Sequence, residues 1–390
     1  MSEESFAQID EVSRSGGAAA AVDRLLQMLR DQQEYHRLFD ALLLQKKLEM
    51  GLPLSRPTSF DDVPEEQQES FKQYYVVTAR EIGRMLLAAD DIPQAWIYFR
   101  TIGENDEIAR AIDAVEAGRD ADEQTEELIQ IALYEGANPV KGLELMLNTH
   151  GTCNTITALD QGFKQLTPAD RKRAAAMLVN TLYEDLSHTL RSEIEQRMPM
   201  LPPGTSIREL ITGRDWLFAE GNYHIDVSHL HAVVRFSRSL EPDDAELIKA
   251  TELAEYGSKL DQQFQYAGDP PFDDFYAASV EFFKVISGDG RDEALAYFRK
   301  KLESQPEPED KQLIAYVMVD LLVRCGQCDK AIDLAEEYLQ NIDESSGFSF
   351  AELCEQAGRM DTLRKVAREK GDLVGYTAAL LQEGAETVSS

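Results

Sequence analysis

Cysteine and tryptophan are scarce in this 390-residue chain, with four and two, and there are only six histidines. Four cysteines do not make a disulfide framework. Positive charge is also short: 39 basic residues face 71 acidic ones, a net charge of −32 at pH 7. That balance repels phosphate backbones and the anionic leaflet of a membrane, so neither nucleic acid nor lipid surface is an expected partner. No run of about 18 uncharged apolar residues occurs, so no membrane span is expected. The first residues, 1–17, are polar and acidic without a secretory-type apolar stretch, which makes the cytoplasm the expected location. Strand signals are weak: Val233–Val234 sits inside helical spacing, and helix formers flank Asp289–Gly290. Gly-x-Ser-x-Gly, His-Glu-x-x-His and calcium-loop patterns do not occur, and Gly288–Asp289–Gly290 lacks the Lys-Ser/Thr pair of a phosphate loop. No catalytic motif is recognised, and no cofactor is implied.

What is present is helix. The composition, 43% hydrophobic and 28% charged, is that of a folded protein. Val22, Leu25, Leu26 and Leu29 recur at spacings of three and four, which predicts an amphipathic helix over 18–30. A second is predicted over 34–50, closed by Gly51 with Pro53 beyond, then a loop over 55–65 and a long helix over 66–88. In the middle, 139–149, 155–166 and 168–197 read as helices, the last opening on Thr167–Pro168 as cap and first residue. Prolines 199, 202 and 203 mark the expected boundary between two helical arrays, 1–200 and 201–390.

One local pattern recurs: a helix, a short turn, then a helix opening on a small residue with an aromatic or small residue four later. Its clearest copy carries Ala294, Phe298, Leu302 and Pro306. Others carry Gly326, Ala331, Ala335 and Leu339; Gly358, Leu363 and Ala367; and, near the other end, Ala95 and Phe99. The segment 276–306 resembles a tetratricopeptide repeat, whose second helix has Ala, an aromatic four on and Pro twelve on. A further alanine of that family is replaced here by Lys301. The spacings from Ala294 to Ala331 and on to Leu363, 37 and 32, depart from a steady 34, so the repeats are degenerate and clearest over 276–340. The resemblance implies an all-α solenoid of stacked antiparallel helix pairs with an irregular helical middle, and a partner peptide or helix on its concave face.

Three clusters could carry chemistry. His224, Asp226, His229 and His231 have the composition of a metal site. If Val227–Leu240 is a helix, however, His229 and His231 lie about 200° apart around its axis. His229 then falls in an apolar line with Val233, Phe236 and Leu240, His231 in a polar line with Arg235 and Arg238, and Asp226 becomes the N-cap. Cys325–Gly326–Gln327–Cys328 follows no strand and aligns with apolar slots near Gly358, which points to packing. His150–Gly151–Thr152–Cys153–Asn154 reads as a helix end at Gly151 with a new helix capped by Asn154 or Thr155.

Two surface features remain. Tyr266, Phe272 and Phe275 lie in or beside a proline-rich loop, where an exposed aromatic would anchor an interface. Between Glu104 and Glu127 ten acidic residues accompany two basic ones, Arg110 and Arg119; Glu123, Glu126 and Glu127 are the candidates there for docking a basic segment. The expected function is a non-enzymatic scaffold or adaptor for protein or peptide partners. The alternatives are a metal-dependent enzyme centred on His224, Asp226, His229 and His231, and a homo-oligomeric array stacked end to end.

Overall fold

The structure is a computed structural model, which describes residues 3–116, 118, 121–197, 204–339 and 348–388, with side chains to Glu383. Helix is the only regular secondary structure among these residues. The chain divides into two compact units, Met1–Thr155 and Ile156–Ser390.

The first unit holds α1 (Glu3–Asp31), α2 (Tyr35–Glu49), α3 (Glu65–Ala88), α4 (Ile92–Ile102), α5 (Asp106–Asp113), α6 (Glu123–Ile129) and the start of α7 (Pro139–Gly162). A π turn over Gln130–Tyr134 continues α6. Each of the first four helices packs on the next, burying Val22, Leu26 and Leu29 as their spacing predicts. Small and aromatic residues make the α3–α4 contact. Ala95 and Phe99 are fully buried, and Phe99 lies so close to Gly83 that a Cβ there would come within 2.6 Å of the ring. The loop over 50–64 is held by Lys47, a buried cation. Its Nζ donates to the carbonyls of Arg56 (2.6 Å) and Ser59 (2.8 Å) and sits over the Phe71 ring.

At 150–155 the expected break is present but the expected caps are not. Two helical segments of α7 meet at Gly151, whose φ of 79° and ψ of 176° are non-helical, a backbone conformation glycine adopts without a Cβ penalty. Asn154 and Thr155 do not cap amides. Their side chains donate back to the carbonyls of His150 and Gly151, both at 3.0 Å.

The second unit continues with α8 (Pro168–Arg197), α9 (Ile207–Ile211), α10 (Val227–Phe236), α11 (Glu246–Ser258), α12 (Phe275–Ser287), α13 (Arg291–Ser304), α14 (Pro308–Arg324), α15 (Cys328–Tyr338), α16 (Phe350–Gln356), α17 (Met360–Lys370) and α18 (Leu373–Val388). Thr167 begins α8 as read from the sequence, its Oγ1 accepting from the Asp170 amide at 3.1 Å. Leu178, Leu182, Leu186, Leu190 and Ile194 make one buried stripe along α8, and α9, α10 and α11 all pack on that helix. The 168–197 segment therefore belongs with the C-terminal unit. The division falls at Thr155/Ile156 and not at 200/201, while prolines 199, 202 and 203 lie outside the described residues.

From α12 onward the helices pair across short turns, α12 with α13, α14 with α15, α16 with α17, and each pair touches the next. Ala294, Phe298, Ala331, Ala335 and Ala367 are buried between them. Small side chains let the axes approach while the aromatic fills the gap that remains.

Candidate interaction sites

The residues of the 224–231 cluster do separate jobs. Asp226 caps α10, its Oδ1 accepting from the amides of Ser228 (2.8 Å) and His229 (3.1 Å); hydrogen bonding, led by the Ser228 hydroxyl, holds its carboxyl below the usual range. His224 precedes the helix and is buried. Its Nε2 lies 2.9 Å from Glu193 Oε2 and its Nδ1 3.0 Å from the Tyr256 hydroxyl, which also accepts the His224 amide at 2.9 Å. Burial lowers the imidazole pKa against the opposing pull of Glu193. His231 stacks on Phe275 and Tyr266, with ring centroids 4.0 and 4.6 Å away. Burial, then Arg235 and Arg238, push it down to about 4. Among the described residues, no three histidine, cysteine, aspartate or glutamate side chains converge as a metal-ligand group.

Of the polar line expected along α10, Arg235 is exposed while His231 and Arg238 are partly covered. Arg238, just past the helix, lays its guanidinium over Phe272 (3.2 Å) and Phe275 (5.0 Å). Its Nε is buried without a hydrogen-bond partner, and burial lowers its pKa to about 9. Phe272 and Phe275, interface candidates only if exposed, are 6% and 3% exposed; as large aromatics generally do, they bury themselves, and they wall in a cation and a histidine. Tyr266 stays 40% exposed. The reason is the high cost of leaving large rings in water, with a cation at hand to cover their faces. Arg324 of α14 donates to the carbonyls of Arg238 and Leu240 and ties this corner to the helix pairs.

An open groove of about 500 Å³ runs between α9, α11, α12 and α13. Ile211, Ala277 and Val280 supply its apolar surface, with Arg208, Lys259 and Tyr297 at its edges. Its walls are fixed by polar contacts that spacing did not reveal. Glu252 is buried on α11 and accepts from the Tyr183 hydroxyl (2.7 Å) and the Arg208 amide (3.3 Å). Ser206 and Glu209 close a capping box on α9. Arg208 then grips Glu255 with two hydrogen bonds of 2.7 and 2.8 Å. On the facing side the Tyr297 hydroxyl donates to Asp274 at 2.6 Å, which with burial drives the phenol upward.

The acidic stretch divides in two. Glu104 and Glu107 are taken by arginines of α3: Arg80 meets Glu104 at 2.6 and 2.8 Å, and Arg84 meets Glu107 at 2.6 Å. Glu123, Glu126 and Glu127 are exposed on α6, with Glu126 3.0 Å from His150 Nε2. Beside them opens a cavity of about 620 Å³, floored by Leu87, Ile92 and Leu128 and edged by Asp90, Glu116 and Asp122.

No family model, curated protein or solved structure matches this chain. The sites are therefore read from their own chemistry. Cys325 and Cys328 flank the α14–α15 turn, where the Cys325 thiol donates to the Val285 carbonyl at 3.5 Å. Burial raises the Cys325 pKa, and that of Cys354 to about 12. Raising a thiol's pKa disfavours the thiolate that redox chemistry uses.

Neither recess was named from the sequence. The usable signals were faint: a small residue, Ala277, at an exposed position of an aromatic-rich helix, and acidic residues bracketing the apolar Ala114–Val115.

Proposed function

We propose that this chain is a non-enzymatic scaffold or adaptor, a tetratricopeptide-like solenoid that holds protein or peptide partners in the cytoplasm. The observation that carries the reading is the groove between α9, α11, α12 and α13. It offers an apolar floor and an edge of fixed charges, which suits insertion of an apolar side chain from an extended or helical segment. The helix pairs behind it bury Ala294, Phe298, Ala331 and Ala335 completely, and a surface backed by packed helices opposes binding with less ordering entropy than a loose one. No helix of the described residues is long and apolar enough to cross a membrane.

Site-specific photocrosslinking in native extract tests this. A benzophenone side chain at exposed Ala277 should capture a discrete partner that the same group at exposed Ile248, off the groove, does not. Equal labelling from both positions would overturn the groove reading. Metal analysis addresses the enzyme alternative: stoichiometric zinc, iron or manganese that is lost on His229→Ala and His231→Ala would displace the scaffold.

A further inference from the structure

The last described helix, α18, is apolar on both sides. Residues 373–382 carry no charge, in a chain that is 28% charged. The inner side packs on α17, with Ala379 buried. Polar groups at the two ends of this stretch are already engaged. Gln382 donates to Glu355 at 2.6 Å, and Glu383 accepts from Arg364 at 2.6 Å. Asp372 Oδ1 accepts the amides of Val374 and Gly375, both at 3.0 Å. The outer side is uncovered. Leu373 is 79% exposed, Val374 81%, Leu380 45% and Leu381 69%, with Thr377 exposed among them. At about 100° per residue these five positions fall within an arc of about 120°, a single stripe. A helix that is apolar all round is normally buried, and a contiguous exposed apolar surface marks a place that another molecule covers.

We infer that the stripe is covered by the same stripe of a second copy of this chain, the two α18 helices crossing antiparallel on a twofold axis at Thr377. Two observations select that occupant. The first is symmetry: Leu373 and Leu381 lie four residues to either side of Thr377, and Val374 and Leu380 lie three. A twofold contact requires this, because residue i of one copy meets j of the other while j meets i. Leu373 then packs on Leu381 of the second copy and Val374 on its Leu380, while the smaller Thr377 at the axis lets the helices approach. The second is charge. Two chains of net −32 repel each other, yet Met360–Glu383 holds four basic and four acidic residues, in balance. Copies that meet at this end avoid local repulsion, and charges more than about 8–10 Å away are screened. A twofold contact closes on itself, so the product is a dimer and not a filament. Such a dimer goes beyond the scaffold reading, since it carries two copies of the α9–α13 groove and makes binding there bivalent.

Four large side chains per copy form an interface at the small, transient end of the range, so the equilibrium should be visible between about 1 and 100 μM. Sedimentation velocity of the full chain over that range should show the monomer passing into a species of twice 43.8 kDa. Leu373→Glu and Leu381→Lys change exposed positions whose charges suit the first turn and the later part of a helix. Each should raise the dissociation constant at least about tenfold. Mixed in equal amounts, the two variants should recover dimer, because the introduced carboxylate meets the introduced ammonium while the other contact keeps its two leucines. Thr377→Cys, in a Cys153→Ser background, gives a readout that needs no loss of assembly: a short bis-maleimide should link two chains there and not through Ile248→Cys. A monomer at every concentration would overturn the inference, as would a dimer that both charge variants leave intact or equal linking from residues 377 and 248. Failure of the mixture to recover would overturn the twofold arrangement. Species that grow beyond the dimer with concentration would overturn it in favour of open stacking.

Discussion

The helix pairs from α12 to α17 and the corner built around α10 belong to one compact unit but are held together in different ways. In the pairs, Ala294 and Phe298 of α13 and Ala331 and Ala335 of α15 are fully buried apolar groups. Around α10, buried polar groups join the apolar ones such as Leu230, Val233 and Phe236: His224 between Glu193 and Tyr256, Glu252 beneath α9, Arg238 between two phenylalanines. The comparison teaches that the first region is stabilised by shape and the second by partner identity. Truncating a ring should hurt the first most, while the second should respond to loss of one hydrogen-bonding partner and forgive an isosteric exchange.

The largest effect expected is Phe298→Ala, about 3–5 kcal/mol from lost burial and the remaining cavity, read as a shift of the chemical-denaturation transition. A loss below about 1 kcal/mol would show that shape does not dominate in the pairs. Next comes Glu252→Ala, which leaves the Tyr183 hydroxyl and Arg208 amide without their acceptor; about 1–3 kcal/mol should be lost. Glu252→Gln should recover most of it, and equal loss from both variants would argue that charge matters there more than the acceptor.

His231 supplies a pH signature. Its folded pKa, about 4, lies below the ordinary value of 6.5, so the unfolded chain binds the proton first. Its stabilising contribution is therefore present above pH 6.5 and is lost as pH falls toward 4. Wild type should lose stability relative to His231→Phe across that window, by about 1–2 kcal/mol once solvent access is allowed for. Parallel pH profiles would mean that folding leaves the ring's pKa unshifted. Asp226→Ala should cost about 1 kcal/mol and Asp226→Asn only a few tenths, the signature of a cap and not of a metal ligand. The smallest change is expected for Arg238→Met: within about 1 kcal/mol of wild type, because a buried cation without a carboxylate gains little that a long apolar side chain cannot supply. A loss above about 3 kcal/mol would place Arg238 among the indispensable polar contacts and sharpen the contrast in the other direction.

Particular residues show how far the sequence could be read. The Thr167–Pro168 start of α8 and the Asp226 cap of α10 were legible because cap and helix are neighbours in the chain. Ala294 and Phe298 were legible because a helix that buries one face must repeat its apolar residues every three or four positions. Lys47 was not, since nothing in its own helix tells that its ammonium will find the carbonyls of Arg56 and Ser59. Phe272 and Phe275 looked available for an interface because the cation that covers them, Arg238, comes from a different element. The acidic stretch looked uniform until Arg80 and Arg84 of α3 were seen to neutralise one end of it.

The sequence by itself determined the all-helical class and where several helices start and turn, because amide satisfaction and 3.6-residue periodicity are local properties. Tertiary structure alone decided where the chain divides, which cations and histidines are buried, and which recesses are left open. Those outcomes depend on groups far apart in sequence meeting at hydrogen-bond distance, and a local pattern carries no record of its distant partner.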